Sequence, residues 1–327
     1  MPRVLVTPFM LREGNWPALE ILRTGGCEVV FPPAGRSSMD PDTPMELLGN
    51  VEAVLAGAEP YTRSMFAVLK LKVIARMGVG YDAVDVPAAT DHRVAVTITP
   101  GTNEPSVAET AMALVLGIAR GFPARDREVR SGAWKRQSLP RLAGQVLGLA
   151  GLGRIGRAIV PRAQAFGLKI IACDPFANQE FVSQHGIELV SFDELLAQAD
   201  IVSLHMPCTP ETVDVINART LARMKPGAIF INTSRGGLVD EQALYDALKS
   251  GHLAGAGLDV FKIEPLPIDS PLLTLDNVLL SPHMGGLDHA SQIAMSSLAA
   301  QCIVDLHQGR WPEGCVVNES IRPDWKW

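Results

Sequence analysis

The chain is sparing where several protein classes are generous. Its 327 residues hold five cysteines, Cys27, Cys173, Cys208, Cys302 and Cys315, an odd number with no CxxC pair. That pattern excludes a disulfide framework and a zinc site, so no metal is expected and the thiols read as reduced ones of a cytoplasmic protein. The longest apolar run, Ala111 to Ala119, is far short of the roughly 20 residues that span a bilayer, so no membrane association is expected. Positive charge is in deficit: 29 Lys and Arg stand interspersed among 35 Asp and Glu, for a net −6. Neither a nucleic-acid footprint nor an anionic-membrane surface is expected from that balance. The N-terminus runs directly into a strand pattern, Val4-Leu5-Val6, without the regions of a signal peptide. Low-complexity segments and long polar tails are lacking as well.

What is present describes a folded α/β protein. Hydrophobic residues make up 47% and charged residues 20%, and the length suits two domains. In the first hundred residues, short apolar runs (Val4-Leu5-Val6, Glu28 to Phe31, Ala53 to Ala56, Val73 to Ala75, Val94 to Thr97) alternate with helical stretches, which predicts a buried parallel sheet. Ser106 to Arg120 reads as a helix, with Ser106 as N-cap and Glu109 completing a capping box. A second αβ series follows, with strands expected at 145–150, 169–173, 200–204, 228–232, 254–258 and 277–280. Several end in a polar residue: Asp174, His205, Thr233, Asp259 and His283. In an open parallel sheet the carboxyl ends of the strands face the ligand, so these residues are expected to line one crevice. Pro161 falls inside the helical pattern after the first of these strands and is expected to kink it. A last helix is expected from about Ser291 to His307.

The densest signal is Gly151-Leu152-Gly153-Arg154-Ile155-Gly156. A strand pattern, 145–150, precedes it, and a helical pattern closed by Gly167 follows it. A second strand then ends in Asp174, about 20 residues on, which is the arrangement of a dinucleotide-binding βαβ unit. Gly151 turns the chain off the strand, Gly153 lets backbone approach a pyrophosphate, and Gly156 lets the helix pack on the sheet. The helix N-terminus offers N–H groups and a positive dipole end to the phosphates. Asp174 would accept from a ribose diol and repel a 2′-phosphate. No Arg or Lys occurs in Pro175-Phe176-Ala177-Asn178, so NAD is expected over NADP. Taken alone, the hexapeptide could be any glycine-rich turn; its flanking elements make it specific.

Further segments, in order, are Ala75-Arg76-Met77-Gly78-Val79-Gly80-Tyr81-Asp82, Ser106-Val107-Ala108-Glu109, His205-Met206-Pro207 and Asn232-Thr233-Ser234-Arg235-Gly236-Gly237. Gly257 to Phe261 with Glu264-Pro265, and Ser281-Pro282-His283-Met284-Gly285-Gly286, complete the series. With the fingerprint, they make the chain resemble the D-isomer-specific 2-hydroxyacid dehydrogenases from about Val73 to Asp305. The resemblance implies two doubly wound parallel-sheet α/β domains. A Rossmann NAD-binding domain (106–297) would be inserted into a discontinuous flavodoxin-like substrate domain (1–105 plus 298–327). It implies an NAD-dependent oxidoreductase that moves hydride between nicotinamide and C2 of a 2-hydroxy acid.

His283 would then be the acid/base, since imidazole titrates near neutral pH. Glu264 would hold the far ring nitrogen and favour the protonated ring. Arg235 would bind the substrate carboxylate as a planar fork, turned into the site by the two glycines after it. Cofactor contacts fall to Val79, Gly151, Gly153, Arg154, Ile155, Gly156, Asp174, His205, Met206, Pro207, Thr233, Ser234, Asp259 and Gly285. Substrate contacts fall to Arg76, Gly78, Val79, Gly80, Asn103, Arg235 and His283, with Gly78-Val79-Gly80 as a nest of N–H donors. Each residue has a bland reading alone: Pro-His a loop, a strand-end Arg a solvated charge, Glu-Pro a turn, the glycines a tight turn.

Arg76 and Asn103 bring the chain nearest the phosphoglycerate dehydrogenase-type members, although it ends at Trp327, with no room for a C-terminal regulatory domain. Cys208 and Gly286 stand where leucine and alanine are usual, which leaves substrate identity open to hydroxypyruvate or glyoxylate. Formate dehydrogenases pair the catalytic His with Gln, and here the partner is Glu264. An NAD-sensing corepressor built on the same fold is the reading from another class; such proteins carry disordered tails, and this sequence shows no long polar tail or low-complexity segment. A homodimer is implied, through the region 106–143, with Trp134 as an interface anchor or an ordinary half-buried side chain.

Overall fold

The computed structural model describes residues 1–33 and 49–327, and divides into two compact units. Unit 1 comprises Met1–Asn103 and Leu287–Trp327; unit 2 is Glu104–Gly286. The second crossing between units thus comes ahead of the last helix, where the resemblance had implied one at about residue 297, within that helix. A helix is one cooperative element, and this one packs along its length in unit 1.

Unit 1 is built on five parallel strands, β1 (Arg3–Val6), β2 (Glu28–Val30), β3 (Ala53–Ala56), β4 (Val73–Arg76) and β5 (Ala95–Thr97), in the order β2-β1-β3-β4-β5. The central strands are continuous apolar runs because both faces are covered. One face packs Val4, Val6, Leu55 and Ala75 with Leu19, Leu22 and Ile303 from helices α1 (Pro17–Thr24) and α11 (His289–His307). The other packs Leu5, Val54, Ile74 and Val96 with Phe66 of α2 (Arg63–Phe66) and Ala88 and Ala89 of α3 (Val86–Asp91). The last helix starts at His289 on an Asp288 cap, whose side chain accepts from Ser291 N–H.

Unit 2 carries seven parallel strands: β6 (Val146–Ala150), β7 (Lys169–Cys173), β8 (Glu188–Leu189), β9 (Ile201–Leu204), β10 (Ala228–Asn232), β11 (Leu253–Leu258) and β12 (Val278–Leu280). Their order is β12-β11-β10-β9-β6-β7-β8, so winding reverses between β6 and β9. Six fall where the apolar runs place them. The two-residue edge strand β8 is too short and too exposed to leave such a run. Helices α4 (Glu104–Ala119) and α6 (Arg154–Ala165) cover one face, and α8 (Phe192–Gln198) and α10 (Glu241–Lys249) the other. Helix α6 continues through Pro161.

The capping box expected at Ser106 is not formed. Helix α4 begins two residues earlier, at Glu104; Ser106 Oγ donates to the Gly285 carbonyl at 2.8 Å, and Glu109 pairs with Arg162 at 3.2 Å. The spacing that suits a cap equally suits two contacts on one helix face, and tertiary packing decides between them.

Strand β5 is an edge, and edges invite foreign pairing. This one is covered by the chain's own later segment: Thr97 bridges Val316 antiparallel, and Val317 N–H donates to the Val96 carbonyl at 2.8 Å. Asn318, buried, accepts from Val96 N–H at 3.0 Å and donates to the Val94 carbonyl at 2.9 Å. Asn318→Ala leaves a buried N–H and a carbonyl unpaired. It is expected to lower unfolding free energy by about 2–3 kcal/mol, measured by urea denaturation; a loss below about 0.5 kcal/mol would refute the role.

Candidate active site

At the reversal point of the second sheet, the fingerprint leaves β6 and the His205 segment leaves β9. Gly151, at φ +105°, lies so close to the His205 carbonyl that a Cβ would overlap it, and Gly156 sits equally close to the Gly151 carbonyl. A Cβ on Gly153 would meet nothing within 4 Å. Gly153 therefore borders open space, where the fingerprint reading places the pyrophosphate. It is the N-cap of α6 and supplies no side-chain cap, so the first N–H groups of this twelve-residue helix stay available to an anion. Arg154, largely exposed, lies 4.0 Å from Glu104 at the same terminus. Ile155 packs at the edge of the apolar cluster beneath.

Asp174, half-buried at the end of β7, accepts from Leu152 N–H and from Phe176 N–H, both at 2.7 Å. A carboxylate has about four acceptor positions, so two remain for a diol. Across the reversal point, the Thr233 hydroxyl and His205 Nδ1 are buried without a hydrogen-bond partner among the described residues. Ser234 Oγ donates to the Met206 carbonyl at 2.5 Å, which joins the two strand ends. An open helix terminus, a strand-end carboxylate and two orphaned polar atoms are what a dinucleotide would satisfy.

His205 Nε2 meets Ser203 Oγ at 2.8 Å, and burial lowers its pKa to about 3. It is a neutral imidazole at working pH, which fits a contact residue and not a proton carrier.

The contact expected between His283 and Glu264 is formed. Glu264 Oε2 lies 2.7 Å from His283 Nδ1, and Glu264 Oε1 accepts from Phe261 N–H at 2.9 Å. Burial pushes the Glu264 carboxyl up, but the hydrogen bonds from His283 and Phe261 and the charges of His283 and Arg235 more than offset it and hold it low. With Nδ1 engaged, Nε2 of His283 is left for a reacting atom.

The loop that carries His283 is held from below. Asp259, 2% exposed, accepts from Ser281 Oγ at 2.6 Å, Met284 N–H at 3.0 Å and Gly285 N–H at 2.8 Å. The carbonyl of Gly285 is tied to Ser106. Asp259 and Gly285, expected at the cofactor, thus have their polar groups engaged within the protein and shape the His283 loop. His283 itself takes φ +52°, a strained conformation for a side-chain-bearing residue.

Arg235 follows β10. Its Nη1 donates to the Ser234 carbonyl at 2.6 Å, and its own carbonyl accepts from Asn232 Nδ2 at 2.8 Å. The expected reason for Gly236 and Gly237 is not the operative one, because neither has positive φ. Gly236 is pressed against the Phe261 carbonyl, and a Cβ there would collide with the segment that carries Glu264. Asn232 and Ser281 organise the site and were not singled out from sequence. Asn232, a polar end to the apolar run 228–231, was the available signal.

Of the substrate residues expected in unit 1, Arg76, Gly78, Val79 and Gly80 lie at and just past the end of β4. Arg76 Nε donates to the Gly80 carbonyl at 3.2 Å, and Asn103 is buried. The N–H groups of Gly78, Val79 and Gly80 donate to no acceptor among the described residues, as a nest open to an anion would. Among the described residues no group of His, Cys, Asp and Glu converges as a metal site. No single helix there is long and apolar enough to cross a membrane.

Two outcomes follow from this geometry. Gly236→Ala should displace Glu264 and lower kcat at least about tenfold without unfolding the chain; normal kcat in a folded variant would contradict the close-packing account. His205 titrates near 6.5 when unfolded and at about 3 when folded, so the unfolded state takes up the proton first. Melting temperature should fall between pH 6.5 and about 3, less steeply in His205→Gln; equal slopes would place His205 elsewhere.

Comparison with known proteins places the chain in a family. The sequence model of the D-isomer specific 2-hydroxyacid dehydrogenase NAD binding domain matches residues 112–285, just over half of the chain. The chain is 41% identical over 271 residues to the glyoxylate reductase of Korarchaeum cryptofilum, covering 81% of this chain and 82% of that protein. It is 45% identical over 269 residues to the D-3-phosphoglycerate dehydrogenase of Mycobacterium leprae, covering 79% of this chain and 50% of that enzyme. The chain thus spans about half the length of that relative. Among solved structures, the D-lactate dehydrogenase of Aquifex aeolicus, complexed with NAD and lactic acid, superposes with a TM-score of 0.85 at 26% identity, covering 96% of this chain and 98% of that one. The chain belongs to the D-isomer specific 2-hydroxyacid dehydrogenase family.

Proposed function

We propose that the chain is an NAD-dependent oxidoreductase of the phosphoglycerate dehydrogenase kind, interconverting a D-2-hydroxy acid and its 2-oxo acid. The 2.7 Å contact between Glu264 Oε2 and His283 Nδ1 carries the reading, because it is the fixed acid/base pair this reaction requires. Bound in this site, NAD supplies the hydride acceptor for oxidation and, reduced, the donor for the reverse. The remaining work belongs to side chains. His283 Nε2 takes the proton of the 2-hydroxyl in oxidation and returns one to the forming alkoxide in reduction. Glu264 keeps the ring oriented and stabilises the charge it gains.

Arg235 is assigned to the substrate carboxylate, supported by its planar fork and its position beside Glu264, whose pKa it lowers. The N–H groups of Gly78, Val79 and Gly80, with Arg76 and Asn103, are the unit 1 residues assigned to the substrate. Asp174, Gly153, Arg154, His205, Met206, Pro207, Thr233 and Ser234 are assigned to the cofactor.

The chain is further assigned to the cytoplasm, a reading supported by five free cysteines. We also assign it a homodimer. The support is a set of exposed apolar side chains following α4, Phe122 and Val129 on α5 (Phe122–Arg130) and Trp134 at 80% exposure. A cavity of about 670 Å³ lined by Ile118, Leu139, Leu248 and Leu275 adjoins them.

Oxidation of NADH at steady state against glyoxylate, hydroxypyruvate, phosphohydroxypyruvate and pyruvate tests the reaction, and no turnover would leave a binding protein. His283→Ala should reduce kcat by about 10²-fold or more, and near-normal turnover would remove His283 from proton transfer. Arg235→Ala should raise KM for the 2-oxo acid steeply. Asp174→Ala should narrow the preference for NADH over NADPH; a wild type preferring NADPH would overturn the cofactor assignment.

A further inference from the structure

Glu264 acts from a turn that packing does not hold. Phe261 is buried and Leu266 lies against the core, but the four residues between them, Lys262 to Pro265, are exposed, Ile263 to 64%. A carboxylate that must keep a 2.7 Å contact with His283 needs a firmer support than that burial gives. The support is polar, and it converges on Lys262. Glu241, the first residue of α10, accepts from Lys262 N–H at 2.7 Å. Asp214 Oδ1 lies 2.5 Å from Lys262 Nζ. One carboxylate holds the backbone of Lys262 and the other holds the end of its side chain, two residues before Glu264.

Both carboxylates stand on fixed ground. Glu241 lies in the first turn of a helix capped by Asp240, where a negative charge is favoured. Asp214 N–H donates to the Gly237 carbonyl at 2.9 Å. Ile216 N–H donates to the Leu238 carbonyl at 3.0 Å, and the Ile216 carbonyl accepts from Asp240 N–H at 2.8 Å. Asp214 takes φ +49°, a conformation that aspartate and asparagine tolerate better than most side chains. Just upstream, Thr212 Oγ1 donates to the Pro207 carbonyl at 2.8 Å, in the segment assigned to the cofactor. An exposed Lys–Asp pair ordinarily contributes little. Here Asp214 Oδ1 is shielded from solvent, and the backbone of Lys262 is already ordered by Glu241, so the pairing costs less side-chain freedom.

Resting on the 2-oxo acid reaction proposed above, we infer that Lys262 is a positioning residue for that reaction: tied to Asp214 and Glu241, it fixes the turn from which Glu264 orients His283. Lys262 acts only through Glu264 and handles neither hydride nor proton.

The test is kcat and KM of the full chain with NADH and glyoxylate or hydroxypyruvate, for Lys262→Met, Asp214→Asn and the two combined. Methionine keeps the apolar stem and asparagine accepts positive φ, so each variant removes a charge without new backbone strain. Each single variant should lower kcat about fivefold, with both KM values within about twofold of wild type. The combined variant should lose no more than either alone, because one interaction has been removed. Lys262→Arg should restore most of the loss. In a Glu264→Gln background Lys262→Met should cost nothing further, whereas a merely structural lysine would add its loss in full. Such an added loss, or unchanged kcat in the folded single variants, overturns the inference; if Lys262→Met does not fold, Asp214→Asn carries the same test. Absence of turnover with every 2-oxo acid counts against the reaction and not against Lys262. In that event the downfield proton resonance of His283 Nδ1–H, identified by its loss in Glu264→Gln, decides. It should broaden or vanish in Lys262→Met and persist in Lys262→Arg, and an unchanged resonance in Lys262→Met overturns the proposal.

Discussion

Asp259 is a carboxylate taken out of water at the end of a parallel strand, and its burial is tolerable only if donors replace that water. The donors are Ser281 Oγ and the N–H groups of Met284 and Gly285, all from one five-residue loop. Satisfying the carboxylate therefore imposes the path of the loop. The loop must pass His283 through a left-handed backbone conformation, and the ring comes to rest against Glu264. Remove the charge below and three of the hydrogen bonds that hold the His283 loop are lost. The His283–Glu264 contact is a consequence of how a neighbouring carboxylate is buried.

The same economy recurs in both sheets. Parallel strands point their carbonyl ends one way, and every polar group that matters stands just past such an end. In unit 2 those groups are Asp174, His205, Thr233, Arg235 and Asp259. In unit 1 they are Thr7, Glu59 and Arg76. One reversal point is left open to a dinucleotide-sized group, with orphaned hydroxyl and imidazole atoms at its wall. The other is closed by a carboxylate accepting three hydrogen bonds. Each sheet has one reversal point, and the side chains that stand there decide whether it is open or filled.

Much of this was legible in the residues. Continuous apolar runs marked the strands because both faces of each sheet are buried, and the glycine spacing marked the loop after β6. The acid/base pair was legible only through resemblance, since 19 residues separate its members and no local periodicity links them. What failed did so for identifiable reasons. Ser106 and Glu109 had the spacing of a cap but were recruited by Gly285 and Arg162, because packing outweighs a helix end. Gly236 was read as a turn glycine, whereas its small size serves a contact with Phe261, 25 residues on, that no local rule can see.

The cover over β5 has a temporal side. Val96 takes both its lateral hydrogen bonds, to Val317 and Asn318, from chain made some 220 residues later. On a ribosome the middle unit, with all its strands contiguous in sequence, can close while the first unit still has a bare edge and lacks the helix that covers one face. The nascent chain thus carries an unfinished sheet through the synthesis of a finished one, and residues made after the middle unit are the ones that seal the first.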